Sequence, residues 1–261
     1  MNQKIPDLSG PHTVAQRAAD EARKVTKKWF RSGMDVASKE DRTPVTIADR
    51  EAEEAIRNTI LDHYPDHGFF GEETGTVAGE SEWQWVIDPI DGTKCFATGM
   101  PTFGTLISLL YRGKPVLGLI DHAILDERWI GMAGEITTHN GRHCRSRETA
   151  TVAEATVYTT TTDMFDAVSG PQAEKLTTRC KFRVFGGDCY GYGLVALGFN
   201  DMVCEADLKP YDYCALIPVI EGAGGVITDW QGKALDMNSS GQVLASGCET
   251  LHSEAVAMLN G

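Results

Sequence analysis

The chain has 261 residues, 42% of them hydrophobic and 23% charged, a balance that supplies a full globular core and excludes a disordered or fibrous chain. Its formal net charge of −13 leaves no basic face for nucleic acid or an anionic membrane surface, and no apolar run approaches the ~18 residues of a membrane helix. The seven cysteines, odd in number and without a C-x-x-C pair, read as reduced thiols of a cytoplasmic protein.

In chain order, the first eight or so residues read as a loose tail. Thr13 to Trp29, "TVAQRAADEARKVTKKW", carries apolar residues at helical spacing and predicts an amphipathic helix. Lys39 to Asp49 reads as a loop entering a second helix, from Asp49 to about Asp62, closed by Pro65 and Gly68. Strands follow. "GFFGEETG" predicts a short strand and turn, Thr74 to Glu82 a polar loop placed to act as a lid, and "WQWVID" a buried strand. Thr102 to Arg145 reads as successive antiparallel strands, with turns at Gly113-Lys114-Pro115 and at Asn140-Gly141. In the second half, strand-like "ATVYTTT", "KFRVFGG" and "VLASG" alternate with helical "GYGLVALGFN" and "YDYCALIPVIEGAG". The pattern predicts two layered α/β lobes, roughly 1–150 and 151–261, sharing one interface.

Four acidic clusters stand out: Glu72-Glu73, Asp88 with Asp91, Glu205, and Asp212. Each ends an apolar segment or stands beside a turn residue, where α/β sheets place their ligands. Carboxylates converging without arginine partners repel one another, and divalent cations relieve that repulsion. Oxygen-only donors favour Mg²⁺ over zinc. In "DPIDGT", Pro89 fixes the turn between the aspartates, so both can face one side with the Ile90 carbonyl between them. Gly92 then lets a ligand approach the backbone. A helix beginning near Thr93 would offer free N–H groups to a phosphate. Metal ions and amide donors around a phosphoryl group make a hydrolytic site. Each cluster alone is ordinary turn or surface chemistry; the combination points to catalysis.

"FFGEETG", "WVIDPIDGTKCF" and "EGAGGVITDWQGKAL", in this order and with "SKEDRTPVTIAD" upstream, resemble the inositol monophosphatase family of Mg²⁺-dependent, lithium-sensitive phosphatases. The likeness runs from about Val14 to Leu259. It implies an α/β fold, a layered αβαβα sandwich in one domain over 1–261, a homodimer, and hydrolysis of a small-molecule phosphate monoester with two or three Mg²⁺ ions per site. It sets Glu72, Asp88, Asp91 and Asp212 on the family's metal carboxylates, with the Ile90 carbonyl as a further ligand. Thr93 matches the residue that activates the attacking water together with Glu72. Asp49 and Lys39 match the groups behind that threonine and its water network. Gly92 and Thr93 would offer amides to the phosphate, with Asp91 and Lys94 beside them.

"DLKPYDYCALIPVIEGAGG" and "GGDCYGYGLVALG" depart from the inositol-hydrolysing pattern and are similar to the histidinol-phosphate phosphatases of the superfamily, which serve histidine biosynthesis. They lie where the family contacts the non-phosphate part of its substrate. Histidinol phosphate carries an ammonium and an imidazole there. Asp188 and Glu205 suit that end, with Asp212 nearby and Arg183 reaching across the site. An aspartate after two glycines is also an ordinary helix cap, and a strand arginine is ordinarily solvated. Inositol-1-monophosphatase and a broad sugar or nucleotide phosphatase are the alternatives. A regulatory, polymerase-binding role is disfavoured, since every metal carboxylate and the threonine are present. "HNGRHC" straddles a hairpin turn and lacks a second ligand pair, which argues against zinc.

Overall fold

The computed structural model describes residues 6–32 and 44–261. Two helices come first, α1 (Ser9–Trp29) and α2 (Pro44–Leu61). Strands β1 (Gly68–Gly71), β2 (Gly75–Val77) and β3 (Trp83–Asp91) lead into helix α3 (Thr93–Thr98). Strands β4 (Gly104–Tyr111), β5 (Lys114–His122), β6 (Glu127–Met132), β7 (Thr138–His139) and β8 (Arg142–His143) complete the first half. The second half runs β9 (Thr156–Thr159), α4 (Ser169–Thr177), β10 (Phe182–Phe185), α5 (Cys189–Ala196), β11 (Met202–Glu205), α6 (Pro210–Tyr213) and α7 (Leu216–Gly222). It ends with β12 (Val226–Thr228), β13 (Val243–Ser246) and α8 (Glu249–Asn260).

An eight-stranded sheet has the order β2-β1-β3-β4-β5-β6-β7-β8, antiparallel except for the β1–β3 pair. A five-stranded sheet has the order β10-β9-β11-β13-β12, with β10, β9 and β11 parallel. Helices α1 and α2 cover the outer face of the first sheet. Between the sheets, α7 rests on β5 and β6, α6 on β3 and β4, and α5 on α7 and β11, while α4 and α8 pack together against the far face of the second sheet. The layers are therefore αβαβα, the sandwich that the resemblance implies. Among the described residues, no helix is long and apolar enough to cross a membrane.

Period-two alternation in β3 places the acids. Trp85 and Ile87 pack with Ala15, Ala18, Ala19 and Ala22 of α1, whereas Val86 faces Leu216 and Ile220 of α7. Each fully buried apolar side chain contributes about 1.5–3 kcal/mol. Asp88, two residues beyond Val86, follows it into the space between the sheets and is 2% exposed.

Several boundaries differ from those expected. Helix α1 starts at Ser9 despite Gly10 and Pro11, and α2 starts at Pro44, because the first helical turn needs no intrahelical N–H bonds and tolerates proline. The turn after β4 is carried by Arg112 and Gly113, both at positive φ; Lys114 and Pro115 belong to β5, where a register shift between Leu109 and Leu110 accommodates the proline. Part of the expected lid forms β2, paired to β1, and Glu80 and Ser81 donate backbone N–H groups to the Asp66 carbonyl. Strands β11 and β12 and helices α4 and α8 add elements that the sequence reading had not named.

Gly118 in β5 has no room for a side chain, since a Cβ there would lie 1.9 Å from the Ala215 carbonyl oxygen. The close approach seats α7, and with it α6, on the sheet. Gly118→Ala should destabilise the protein by about 1–3 kcal/mol, read as a lower urea midpoint by circular dichroism. An unchanged midpoint would show that this backbone contact yields freely.

Candidate active site

Strand β3 brings Asp88 and Asp91 to one end of the first sheet. On a regular strand, residues three apart face opposite sides, but the β3–β4 register shifts between these two. Local bonds hold the irregular stretch: Asp88 Oδ1 accepts the Ile90 N–H at 3.0 Å, and Thr105 Oγ1 donates to the Pro89 carbonyl at 2.8 Å. Thr93 Oγ1 donates to the Ile90 carbonyl at 3.1 Å. Across the gap, the "LKPYD" segment starts α6 with a capping box in which Asp212 Oδ2 accepts the Lys209 N–H at 2.6 Å. Carboxylate oxygens of Asp88, Asp91 and Asp212 consequently lie within 4.8 Å of one another.

Each of the three has one oxygen bonded to a backbone N–H, the third bond being Cys189 N–H to Asp91 Oδ2 at 2.7 Å. Among the described residues, none pairs with a lysine or arginine. Burial first, and then neighbouring acids, hold Asp88 and Asp91 well above the usual carboxylate range. Burial with the Glu72 charge pushes Asp212 up to about 7. Unpaired buried carboxylates need protons or cations. An all-oxygen donor set of this kind fits a hard divalent ion such as Mg²⁺.

Glu72 follows β1 and stands beside Asp88 with its side chain open to solvent; burial of its inner part, and then the charges of Glu73 and Glu53, outweigh the contact with Asp88 and raise it. Its turn is fixed from α2, where buried Glu53 accepts the N–H groups of Glu73 and Thr74 at 2.9 and 2.8 Å. Asp49, one helical turn before Glu53, is raised to about 8 by burial, then by Glu72, Glu73 and Glu53, and its Oδ1 has no hydrogen-bond partner among the described residues. The expected hold of Asp49 on Thr93 is absent from the described bonds: the threonine hydroxyl is committed to Ile90 instead. Lys39 lies outside the described residues.

Gly92 sits at φ 81° and caps α3. A side chain there would be strained, and its Cβ would meet Asp188 Oδ2 at 2.7 Å. Asp188 occupies the N-cap position of α5 without a side-chain bond to the helix; its Oδ2 accepts the Cys95 thiol at 2.9 Å. It is therefore not an ordinary capping aspartate. Asp188 and Glu205 line one cavity with Asp91 and Asp212, walled by Met164, Leu208 and Leu216. Lys94 is exposed on α3, and its charge lowers Asp188 against the larger effect of burial. Arg183 does not join this set. It lies exposed on the outer strand β10, bonded to Glu174 at 2.5 Å and set over the ring of Phe185, because an edge strand turns its charged side chains to water.

Glu53, Thr160, Met164 and Tyr192 were not singled out from sequence. Only Glu53 had a local signal, its i,i+4 spacing from Asp49. "HNGRHC" forms no metal cluster: His143 is exposed, and the Cys144 thiol is turned to the Thr137 carbonyl. A larger cleft of about 620 Å³ lies elsewhere, beside Arg23 and Arg128. Its arginines are already paired, both at 2.6 Å, with Asp121.

A family model described as "Inositol monophosphatase family" matches residues 8–260. The chain is 46% identical to the bifunctional phosphatase IMPL2, chloroplastic, of Arabidopsis thaliana, over 94% of this chain and 74% of that one. It is 36% identical to a histidinol-phosphatase of Chlorobaculum parvum, over 92% of each chain. Among solved structures, an inositol monophosphatase from Zymomonas mobilis superposes with a TM-score of 0.92 at 38% identity, covering 98% of this chain and 100% of that one. With its five-layer sandwich and its acids at the end of β3, the chain belongs to the inositol monophosphatase family.

Proposed function

We propose that the chain is a Mg²⁺-dependent phosphate monoester hydrolase whose substrate is histidinol phosphate, acting in histidine biosynthesis. The observation that carries the substrate reading is the cavity that holds Asp188 and Glu205 beside Asp91 and Asp212, with no lysine or arginine ion-paired to them among the described residues. Two carboxylates not ion-paired among the described residues, beside apolar walls, suit an ammonium and an imidazole behind the phosphate. The histidinol-phosphatase relatives support the same choice. Inositol 1-phosphate is the second reading, favoured by the similarity to the Zymomonas mobilis structure.

In this reading Asp88, Asp91, Asp212, Glu72 and the Ile90 carbonyl hold the ions. Mg²⁺ held there would supply neutralising charge for the phosphate and lower the pKa of the attacking water. Glu72 is solvent-open beside Asp88 and accepts the water proton. Thr93 keeps the Ile90 carbonyl oriented. The first-turn N–H groups of α3, with Gly92 giving access, bind the phosphate. Asp49 keeps the acidic side of the water network in place, and Lys39 completes it on the family resemblance alone. The same reading takes the chain as one phosphatase domain, lithium-sensitive, homodimeric and cytoplasmic, the last supported by seven cysteines without a disulfide.

Phosphate release from histidinol phosphate and from inositol 1-phosphate, measured side by side with Mg²⁺, should favour the former by at least about tenfold in kcat/KM, and Asp188→Asn should raise KM for it. A preference for the inositol ester would overturn the substrate reading and keep the hydrolase. Asp91→Asn should cut turnover of either ester by more than about 100-fold with an unchanged far-ultraviolet spectrum. Near-normal rates would remove Asp91 from the metal set.

Stability gives an independent reading of the ions. Asp212 and Asp49 have folded-state pKa values raised to about 7 and about 8, so the stability they contribute is complete below the ordinary aspartate value of about 4 and is lost as pH rises through 7 and 8. In EDTA, the melting temperature should fall from pH 5 to pH 8, and Mg²⁺ should restore it most at pH 8. Equal melting temperatures at both pH values in EDTA would count against an unpaired acid cluster.

A further inference from the structure

Thr160, the residue just past β9, touches both substrate-side acids. Its backbone N–H donates to Glu205 Oε1 at 3.0 Å, and its hydroxyl accepts the Asp188 N–H at 3.1 Å. The other Glu205 oxygen, Oε2, accepts the Tyr192 hydroxyl at 2.8 Å. Tyr192 is 1% exposed and Glu205 3% exposed, and all four residues line the cavity that also holds Asp91 and Asp212. Three elements thus meet on one buried carboxylate: β11 through Glu205, α5 through Tyr192, and the end of β9 through Thr160.

The character of these donors matters more than their number. An arginine or lysine would hold Glu205 equally firmly, but would spend its charge. An amide and a phenol immobilise the carboxylate and favour its ionised form while leaving the negative charge to a ligand. Burial raises Glu205, and the bonds from Thr160 and Tyr192 work against that rise. Asp188 is handled in the same way. Its backbone is anchored on the Thr160 hydroxyl, and among the described residues its carboxylate accepts the neutral Cys95 thiol alone.

We propose that Thr160 and Tyr192 are positioning residues that set substrate selectivity, by fixing Glu205 and Asp188 as a carboxylate pair, held by neutral donors, that selects phosphate monoesters of cationic alcohols. The inference rests on the substrate reading above and adds the residues that hold its two acids. Tyr192 also packs in the core with Val203 and Leu216, so a purely structural role must be told apart from a selective one.

The test compares histidinol phosphate with the uncharged-alcohol ester glycerol 2-phosphate, using the Mg²⁺-loaded full chain. Tyr192→Phe and Thr160→Val should each lower the selectivity ratio between the two esters about tenfold, mainly through a higher KM for histidinol phosphate, with kcat falling less. Thr160→Val keeps the N–H that holds Glu205 and removes only the hydroxyl that anchors the Asp188 N–H; Thr160→Ser returns that hydroxyl and should restore the ratio. Equal losses on both esters, or an unchanged ratio, would overturn the proposal. If Tyr192→Phe fails to fold, the Thr160→Val and Thr160→Ser pair decides. Wild-type protein without preference for the cationic ester would defeat the substrate reading itself; wild-type preference retained in every variant would defeat only the positioning role.

Discussion

Mutual repulsion among Asp88, Asp91 and Asp212 is the constraint around which this molecule is arranged. Three carboxylates within 4.8 Å of one another, two of them held far above the usual carboxylate range, work against the folded state. Among the described residues no arginine relieves this; one that did would stabilise the protein and close the site. It accepts the cost, and the apolar faces of β3 to β6, buried against helices on both sides, offset it. The surplus of stability in the layers is what allows a destabilised end of β3 to persist.

The layering also explains why the site belongs to neither sheet alone. Asp88 and Asp91 come from the first sheet, Asp188 from the start of α5, Glu205 from the second sheet, and Asp212 from the short helix between them. What brings them together is the middle layer, seated so closely that Gly118 and Gly131 meet the carbonyls of Ala215 and Pro218. Asp91 makes the link directly, through the N–H of Cys189, ninety-eight residues later in the chain. Geometry at the acids is thus coupled to the fit of α5 and α7 between the sheets.

What could be read in the sequence was what is local. The alternation of β3, the Asn140-Gly141 hairpin and the "DPIDGT" turn each depend on a few neighbouring residues, and the structure keeps them. The helix starts at Ser9 and Pro44 were obscured because glycine and proline interrupt a helix in its interior and not in its first turn. The sequence reading put Arg183 across the site from its charge alone, but its place on the edge strand depends on strand order, which no local pattern contains. Thr160 and Tyr192 escaped notice for the same reason. Glu205 lies forty-five residues from one and thirteen from the other, and a tyrosine in "GYGLVALG" reads as core.

Two kinds of acid meet at the site, and their hydrogen bonds tell them apart. Asp88, Asp91 and Asp212 each have one oxygen bonded to a backbone N–H, which orients the group, and an oxygen of each lies within 4.8 Å of the other two. That arrangement suits a ligand that binds oxygen atoms directly. Glu205 accepts a neutral donor on each oxygen, the Thr160 N–H and the Tyr192 hydroxyl, and these bonds work against the rise that burial gives it. That arrangement suits a cation held at longer range or through one shared oxygen. Glu205 differs from the three aspartates in the second donor, the Tyr192 phenol, that its other oxygen accepts, and in this family member that difference separates the acid of β11 from those of β3 and α6.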